Sequence, residues 1–393
     1  MSQRSDLLRH LLREPRTLAE LVELSGASLP TVRRIVGELG EERLVRVVGH
    51  DPSRGGRPAK RYGLDPGGAL VVGVHLVHPG MRLVAASLTG DRLDEEVPDV
   101  GSLDPDDVPR RVARYVRRVR ERHLGRPILG VGIATPGFLD PVAGQLLAIQ
   151  RAPGWTDVPL AARVEAATGL RVTLHNDMDA LASSDAAAAA ESAGHLVYVG
   201  FGEGLKFSLM FDGAAYAGPF GNAGLAPDAL LARLGRAEDA ALLRVPGLVA
   251  AIDGPGAVAG VPRSVTRDRF EALLAAYAGG DPTVAGVVER MIEVLGAETA
   301  AVVQLLQPTT LVFGAALAGA PPAVLQALER TVRASLPPLL DDALDVRPAR
   351  LVGPASTALG ATHAFLTRHI AEDVPTSGAP TPPTPSAPPG VPS

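Results

Sequence analysis

The chain has 393 residues, of which 46% are hydrophobic and 21% charged, with a formal net charge of −5; that is long enough for two or three domains, each with its own core. It contains no cysteine, which excludes disulfides, thiolate catalysis and the usual ligands of a structural zinc site. No apolar run approaches the roughly 18 residues of a membrane span and no signal-like stretch opens the chain, so a cytoplasmic protein is expected.

Residues 1–63 hold 12 Arg and Lys against 8 Asp and Glu, a basic end on an acidic body, as expected where one end meets a polyanion. In chain order, "QRSDLLRHLLRE" sets Leu7, Leu8, Leu11 and Leu12 at helical spacing before Pro15. "TLAELVELSG" opens with a capping box, Thr17 and Glu20, and stops at Gly26. "SLPTVRRIVGELGEERLV" predicts a third helix, with Ser28 as N-cap, Pro30 in the first turn and Val32, Ile35, Val36 and Leu39 as the buried stripe. "LVRVVGHDPSRGGRPAKRYGL" reads as two strands around a Gly/Pro-rich tip. Helix, helix, turn, helix and hairpin is the order of a winged helix-turn-helix, whose third helix enters the DNA major groove by its N-terminal residues.

The candidate base and phosphate contacts are therefore Ser28, Thr31, Arg33 and Arg34, since Arg bonds guanine bidentately and hydroxyls suit phosphates. At the hairpin, Arg54, Arg57, Lys60 and Arg61 stand among glycines and a proline, an extended basic ribbon suited to a narrow minor groove. The alternatives are a protein–protein module with solvated arginines and, for the ribbon, a charged linker.

From about Ala69 the pattern becomes mixed strands and helices. "ALVVGVHL" and "MRLVAASLTGD" predict paired strands, "DVPRRVARYVRRVRERH" an amphipathic helix, and "ILGVGIATPG", "RVTLHND" and "HLVYVGFG" further strands. "PTVAGVVERMIEVLGAETAAVVQLLQP" predicts a long apolar helix feeding the strand "TTLVFGA". This implies an α/β body of two lobes around a cleft. The last twenty residues hold eight prolines, and 372–393 are expected to be a disordered tail.

The stretches "GGRPAKRYGLDP", "GVGIATPGFLDP", "RAPGWTDVPL", "LHNDMDALA", "GFGEG", "GPFGNAGLAPD" and "LLQPTTLVFGAAL" resemble the ROK family (repressors, open reading frames, kinases), and more closely its transcriptional regulators. The resemblance implies an N-terminal winged helix-turn-helix over 1–64 and, over 65–371, an actin-like, sugar-kinase-like (ribonuclease H-like) α/β domain for sensing and dimerisation. It also implies operator DNA and a second copy of the chain as partners, in a homodimer or tetramer, and a sugar or sugar phosphate as effector.

Against the family pattern the kinase chemistry is expected to be lost. Where the phosphate-binding hairpin should carry Asp, glycines and Thr, this chain has "GVHLVHPGM", with His75, Val77, His78 and Pro79; valine adds bulk and proline removes an amide donor. His75 and His78 lack a third metal ligand in the sequence, so no metal and no cofactor are expected. "LHND" keeps Asn176 and Asp177, which the resemblance marks as polyol ligands and which equally suit a helix N-cap. The family's sugar-binding Glu and zinc-associated His are Leu225 and Asp228, and its nucleotide-side GG is Gly314–Ala315. The leading expectation is a DNA-binding regulator with a degenerate, non-catalytic sensor; the alternatives are a sugar kinase with an accessory DNA-binding domain and a ligand-independent DNA-binding scaffold.

Overall fold

The computed structural model describes residues 2–51, 58–77, 80–99, 103–149, 152, 154–188, 194–226, 237–259, 261 and 263–372. The expected tail, apart from its first residue, and the tip residues Arg54 and Arg57 lie outside the described residues.

The N-terminal segment forms α1 (Gln3–Arg13), the short β1 (Arg16–Thr17), α2 (Leu18–Ser25), α3 (Leu29–Glu41), β2 (Val45–His50) and β3 (Lys60–Leu64). Local chemistry sets each boundary. Thr17 Oγ1 accepts from the Glu20 amide at 3.2 Å while Glu20 accepts from the Thr17 amide at 2.7 Å, closing the capping box that starts α2. Gly26 ends α2 in the left-handed region, φ 66°, as a side chain there would resist. The wing pairs antiparallel in the order β1-β3-β2; β1 was not legible in the sequence because it is only two residues long.

The first lobe contains β4 (Leu70–Val77), β5 (Gly80–Ser87), β6 (Arg92–Glu96), α4 (Asp107–Arg122), β7 (Ile128–Thr135), the small sheet β8 (Phe138–Asp140), β9 (Gln145–Ala148) and β10 (Thr156–Val158), then α5 (Leu160–Thr168) and β11 (Arg171–Asn176). Helix α6 (Asp177–Ala188) crosses to the second lobe. There β12 (His195–Phe201), β13 (Leu205–Phe211), β14 (Ala214–Ala215) and β15 (Leu225–Ala226) precede α7 (Ala237–Leu242), α8 (Val245–Asp253), α9 (Arg263–Ala278) and α10 (Pro282–Leu306). The chain ends with β16 (Thr310–Ala315), α11 (Pro322–Arg333), α12 (Pro338–Ala343), β17 (Asp345–Pro348) and α13 (Ser356–Ala371).

The two large sheets repeat one plan. The first runs β6-β5-β4-β7-β11 and the second β14-β13-β12-β16-β17, with β15 on β13. In each, a meander of antiparallel strands is extended by parallel strands: β4–β7–β11 and β12–β16–β17. The parallel strands need helical crossovers, and these supply the helices that bury the sheets.

The lobes are joined where α6 and α13 cross. Leu181 and Ala182 of α6 pack with Tyr198 and Met210 of the second lobe, and buried Asp185 accepts from the Arg350 amide at 2.5 Å and from Arg347 Nη1 at 2.8 Å. Helix α13 lies over glycines of the first sheet. A Cβ on Gly73 or Gly132 would overlap the carbonyl oxygens of Ala358 and Ala361, so α13 sits as close as backbone allows. The winged helix is not an isolated unit: Leu7, Leu8 and Leu11 share one core with Leu21, Val32 and Leu39, and also with Val71 of β4 and Phe365, Leu366 and Ile370 of α13.

Candidate DNA-reading face and interlobe site

On α3 the buried stripe is Val32, Ile35, Val36 and Leu39, so the opposite face carries the candidate contacts. Ser28 caps the helix, with its hydroxyl 2.8 Å from that of Thr31, which sets two hydroxyls at the positive end of the helix dipole. Arg33 is exposed and makes no hydrogen bond or ion pair among the described residues. Arg34 is 61% exposed and bonds Glu38 at 2.6 Å, a solvated i,i+4 pair worth only a few tenths of a kcal/mol and easily released.

At the wing, Lys60 is exposed opposite His50. Arg61 is turned inward: it bonds Asp51 at 2.7 Å and the Pro15 carbonyl at 2.7 Å, and lies 3.7 Å from Glu20. It thereby braces the hairpin against the α1–α2 junction, and its pairing with Asp51 raises its pKa above the ordinary value. Residue type and local spacing marked Arg61 as a contact, but the partners that occupy it come from three other segments.

In the body, Asn176 ends β11 and Asp177 starts α6. Both side chains accept from the Met178 amide, at 3.0 and 2.9 Å, so the N-cap role expected for this pair is physically present. Asn176 also lines a cavity of about 250 Å³ between the lobes, with Leu139, Pro141, Asp179, Ser183 and Arg368 among its walls. That is smaller than most drug-sized pockets and suits a small ligand. The lobes meet beside it where Asn222 donates to the Leu139 carbonyl at 2.9 Å and accepts from the Leu139 amide at 3.0 Å.

The most unusual chemistry beside this cavity, behind the Asp179 wall, was not legible in the sequence. Lys206, 2% exposed on β13, reaches Asp179 on α6 at 3.3 Å and donates to the Ala223 carbonyl at 2.8 Å. Burial lifts the Asp179 carboxyl above the ordinary range, although the Lys206 ammonium pulls the other way. Asp179 Oδ1 is itself buried and makes no geometrically close hydrogen bond among the described residues, although the Ser208 hydroxyl acts on the carboxyl. The available signal was the placement of one of the chain's two lysines inside an otherwise apolar strand, "LKFSLMF".

On the side expected to hold nucleotide, the Ala315 amide is donated to Tyr198 Oη at 3.0 Å, and a Cβ on Gly314 would overlap the Tyr198 ring. That amide is satisfied internally and no longer offered to a phosphate. His78 and Pro79 lie outside the described residues, as does Asp228; Leu225 pairs with Lys206 across β13. Among the described residues no group of three or more His, Asp or Glu is placed to hold a metal ion.

Three histidines sit at α13: His363 and His369 on the helix and His175 on β11. Burial pushes the pKa of His175 down to about 3, with Arg368 adding to the effect. It pushes His363 and His369 down to about 4, with Arg171 also acting on His369. All three are neutral in the folded protein, whereas the unfolded chain protonates them near pH 6.5. The unfolded state therefore binds more protons between about pH 6.5 and 4, so stability is full above this window and falls as pH drops through it. Urea melts between pH 4 and 7 should show unfolding taking up about two to three protons near pH 5; a flat stability profile across this window would contradict neutral burial.

Residues 5–49 match the IclR helix-turn-helix domain and residues 110–230 match the ROK family. The body of the chain over residues 110–230 is similar to the ROK family. This body follows an N-terminal helix-turn-helix, and the whole resembles a solved ROK family transcriptional regulator, described as a homologue of the E. coli MLC protein, with TM-score 0.73 and 19% identity over 93% of this chain and 96% of that one. A ROK hexokinase from Thermus thermophilus matches with TM-score 0.59 and 24% identity over 76% of this chain and 98% of its own. These likenesses show the fold. A xylose repressor of Bacillus subtilis (strain 168) is 23% identical over 226 residues, 56% of this chain and 57% of that protein. The chain spans about half the length of the curated relatives it matches. Those relatives are named as repressors, while its structural neighbours include ROK kinases. No helix among the described residues is long and apolar enough to cross a membrane.

Proposed function

We propose that this chain is a sequence-specific, DNA-binding transcriptional repressor of the cytoplasm. Residues 1–64 read the operator, and residues 65–371 dimerise it and sense a small polyol without transferring phosphate. The single observation that carries the reading is the solvent face of α3, where the Ser28–Thr31 hydroxyl pair and the exposed Arg33 and Arg34 stand opposite the buried stripe. Lys60 and the tip arginines Arg54 and Arg57 extend that face as backbone contacts, whereas Arg61 acts as a brace.

Asn176 and Asp179 in the cavity wall support a polyol effector, since the amide can donate to or accept from a hydroxyl and the carboxylate can accept from one. Asp177 caps the helix that carries Asp179. The relatives named for xylose regulation make xylose the first sugar to test. The internal use of the Ala315 amide by Tyr198 favours a sensor over the kinase alternative.

Selection of genomic fragments by the purified chain at near-physiological salt should recover a small set of palindromic promoter sites, since salt suppresses phosphate-only binding. Arg33→Ala should then weaken the selected site by about 1 to 3 kcal/mol, roughly 5- to 150-fold, while leaving random DNA nearly unchanged. Equal loss on both DNAs would mean that α3 grips phosphates only, and the reading would fall.

A further inference from the structure

Helix α1 touches both lobes. Its leucines lie in the core shared with α13. Its last turn reaches the second lobe, where Arg13 Nη2 donates to the carbonyl of Asp212 at the β13–β14 turn. Between these elements is a cavity of about 50 Å³, lined by Arg9, Arg13, Asp212, Ala214, His363 and Thr367 among others. One water needs about 10–15 Å³ of such space, so the cavity admits a group of roughly three to five heavy atoms.

The charges around it are not balanced. Arg9 is paired with Asp6 at 2.6 Å and Arg16 with Glu14. Arg13 makes no ion pair among the described residues and spends its guanidinium on a neutral carbonyl. It is half-buried, and burial and the neighbouring Arg9 and Arg16 disfavour its charge, offset only in part by the Asp212 carboxylate. A half-buried cation that makes no ion pair among the described residues, and that the Asp212 carboxylate offsets only in part, is costly, and an anion of the cavity's size seated on Arg13 would reduce that cost. His363, held neutral by burial, and the Thr367 hydroxyl add two polar groups to the wall.

We propose that this cavity is a binding site for a small anionic group, a phosphate or a carboxylate, anchored by Arg13 at the junction of the DNA-reading head and the second lobe. It is separate from the interlobe cavity but shares Ala214 and Thr367 with it, so occupancy of one reaches the wall of the other. The site stands whether or not the chain reads DNA.

The test uses the full chain in a non-coordinating buffer, titrated with inorganic phosphate or acetate against sodium chloride at matched ionic strength, and read by calorimetry and thermal melting. The expected result is a saturable heat at one site per chain with a rise in Tm, at least tenfold weaker in Arg13→Gln, partly restored in Arg13→Lys and unchanged in Arg110→Gln, an exposed α4 control. Saturation by phosphate alone assigns a phosphate group, and by acetate alone or both a carboxylate-sized anion. Should Arg13→Gln not fold, Thr367→Val probes the same wall with the anchor intact and should weaken binding. No saturable heat for either anion, or saturable heat unaffected by both Arg13→Gln and Thr367→Val, overturns the site.

Discussion

Replacing Lys206 by Met should cost about 3 to 5 kcal/mol of folding stability, seen as a lower urea midpoint at unchanged m-value. Lys206 and Asp179 form an ion pair with side chains 2% and 7% exposed, and Asp179 Oδ1 makes no geometrically close hydrogen bond among the described residues. Removing the ammonium leaves a carboxylate buried with no counter-charge, the arrangement in which a single deletion is most damaging. The defect should depend on pH with a definite sign. In the variant the folded-state pKa of Asp179 rises further above its unfolded value, so the folded state binds more protons and stability falls as pH rises. The loss should be greatest near pH 8 and smallest near pH 5. The double variant Lys206→Met/Asp179→Asn should be less damaged than Lys206→Met alone, because it removes both charges. A cost below about 1 kcal/mol for Lys206→Met, or additive effects in the double variant, would show that the pair is solvated and not a structural element of the interlobe wall.

The second large effect is expected at Gly132. Its position on β7 faces α13 so closely that any Cβ would overlap the Ala361 carbonyl oxygen, with Phe365 also in reach. Gly132→Val should therefore destabilise the chain by about 3 kcal/mol, the upper end of ordinary overpacking, because the obstacle is backbone and cannot change rotamer. The damage should spread beyond the first lobe: displacing α13 moves Phe365, Leu366 and Ile370, which form the floor under α1 and the recognition helix. Loss of hydrogen-exchange protection in α1 and α3 alongside β7 is the measurement that reports it. Gly286→Ala, on an exposed turn of α10 with nothing within 4 Å of its new Cβ, should instead stabilise by roughly 0.5 to 1 kcal/mol. If Gly132→Val destabilised only the first lobe, the head would not depend on α13.

How far the site could be read from the chain follows the range of the interactions. The recognition helix was legible because its limits are made by neighbours in sequence: Thr17 with Glu20, Gly26 as a left-handed stop, and Ser28 with Thr31. Its buried stripe is a 3.6-residue period, and its outward arginines follow by geometry. The strands of the body announced themselves as apolar runs, and Asn176–Asp177 as a cap at a strand-to-helix junction. Hydrogen bonds between atoms two or three residues apart exist before the fold does, so sequence alone determined them, and with them the winged helix, the α/β body and the ROK resemblance.

The rest depends on contacts that exist only once distant segments meet. Arg61 has a sequence suited to DNA, yet the folded wing places Asp51, Glu20 and the Pro15 carbonyl around it. Asp179 and Lys206 are 27 positions apart on different elements and become a pair only when α6 crosses to the second lobe. Tyr198 takes the Ala315 amide across 117 positions, and α1 shares its core with a helix more than 340 residues later. None of these residues differs in type from ordinary surface or core residues; what distinguishes them is the low-dielectric, crowded surroundings supplied by tertiary packing, where a charge must be paired and an amide satisfied. Sequence determined which elements form and which face of α3 is free, and the tertiary structure alone decided which charges are buried together and that the DNA-reading head rests on both lobes.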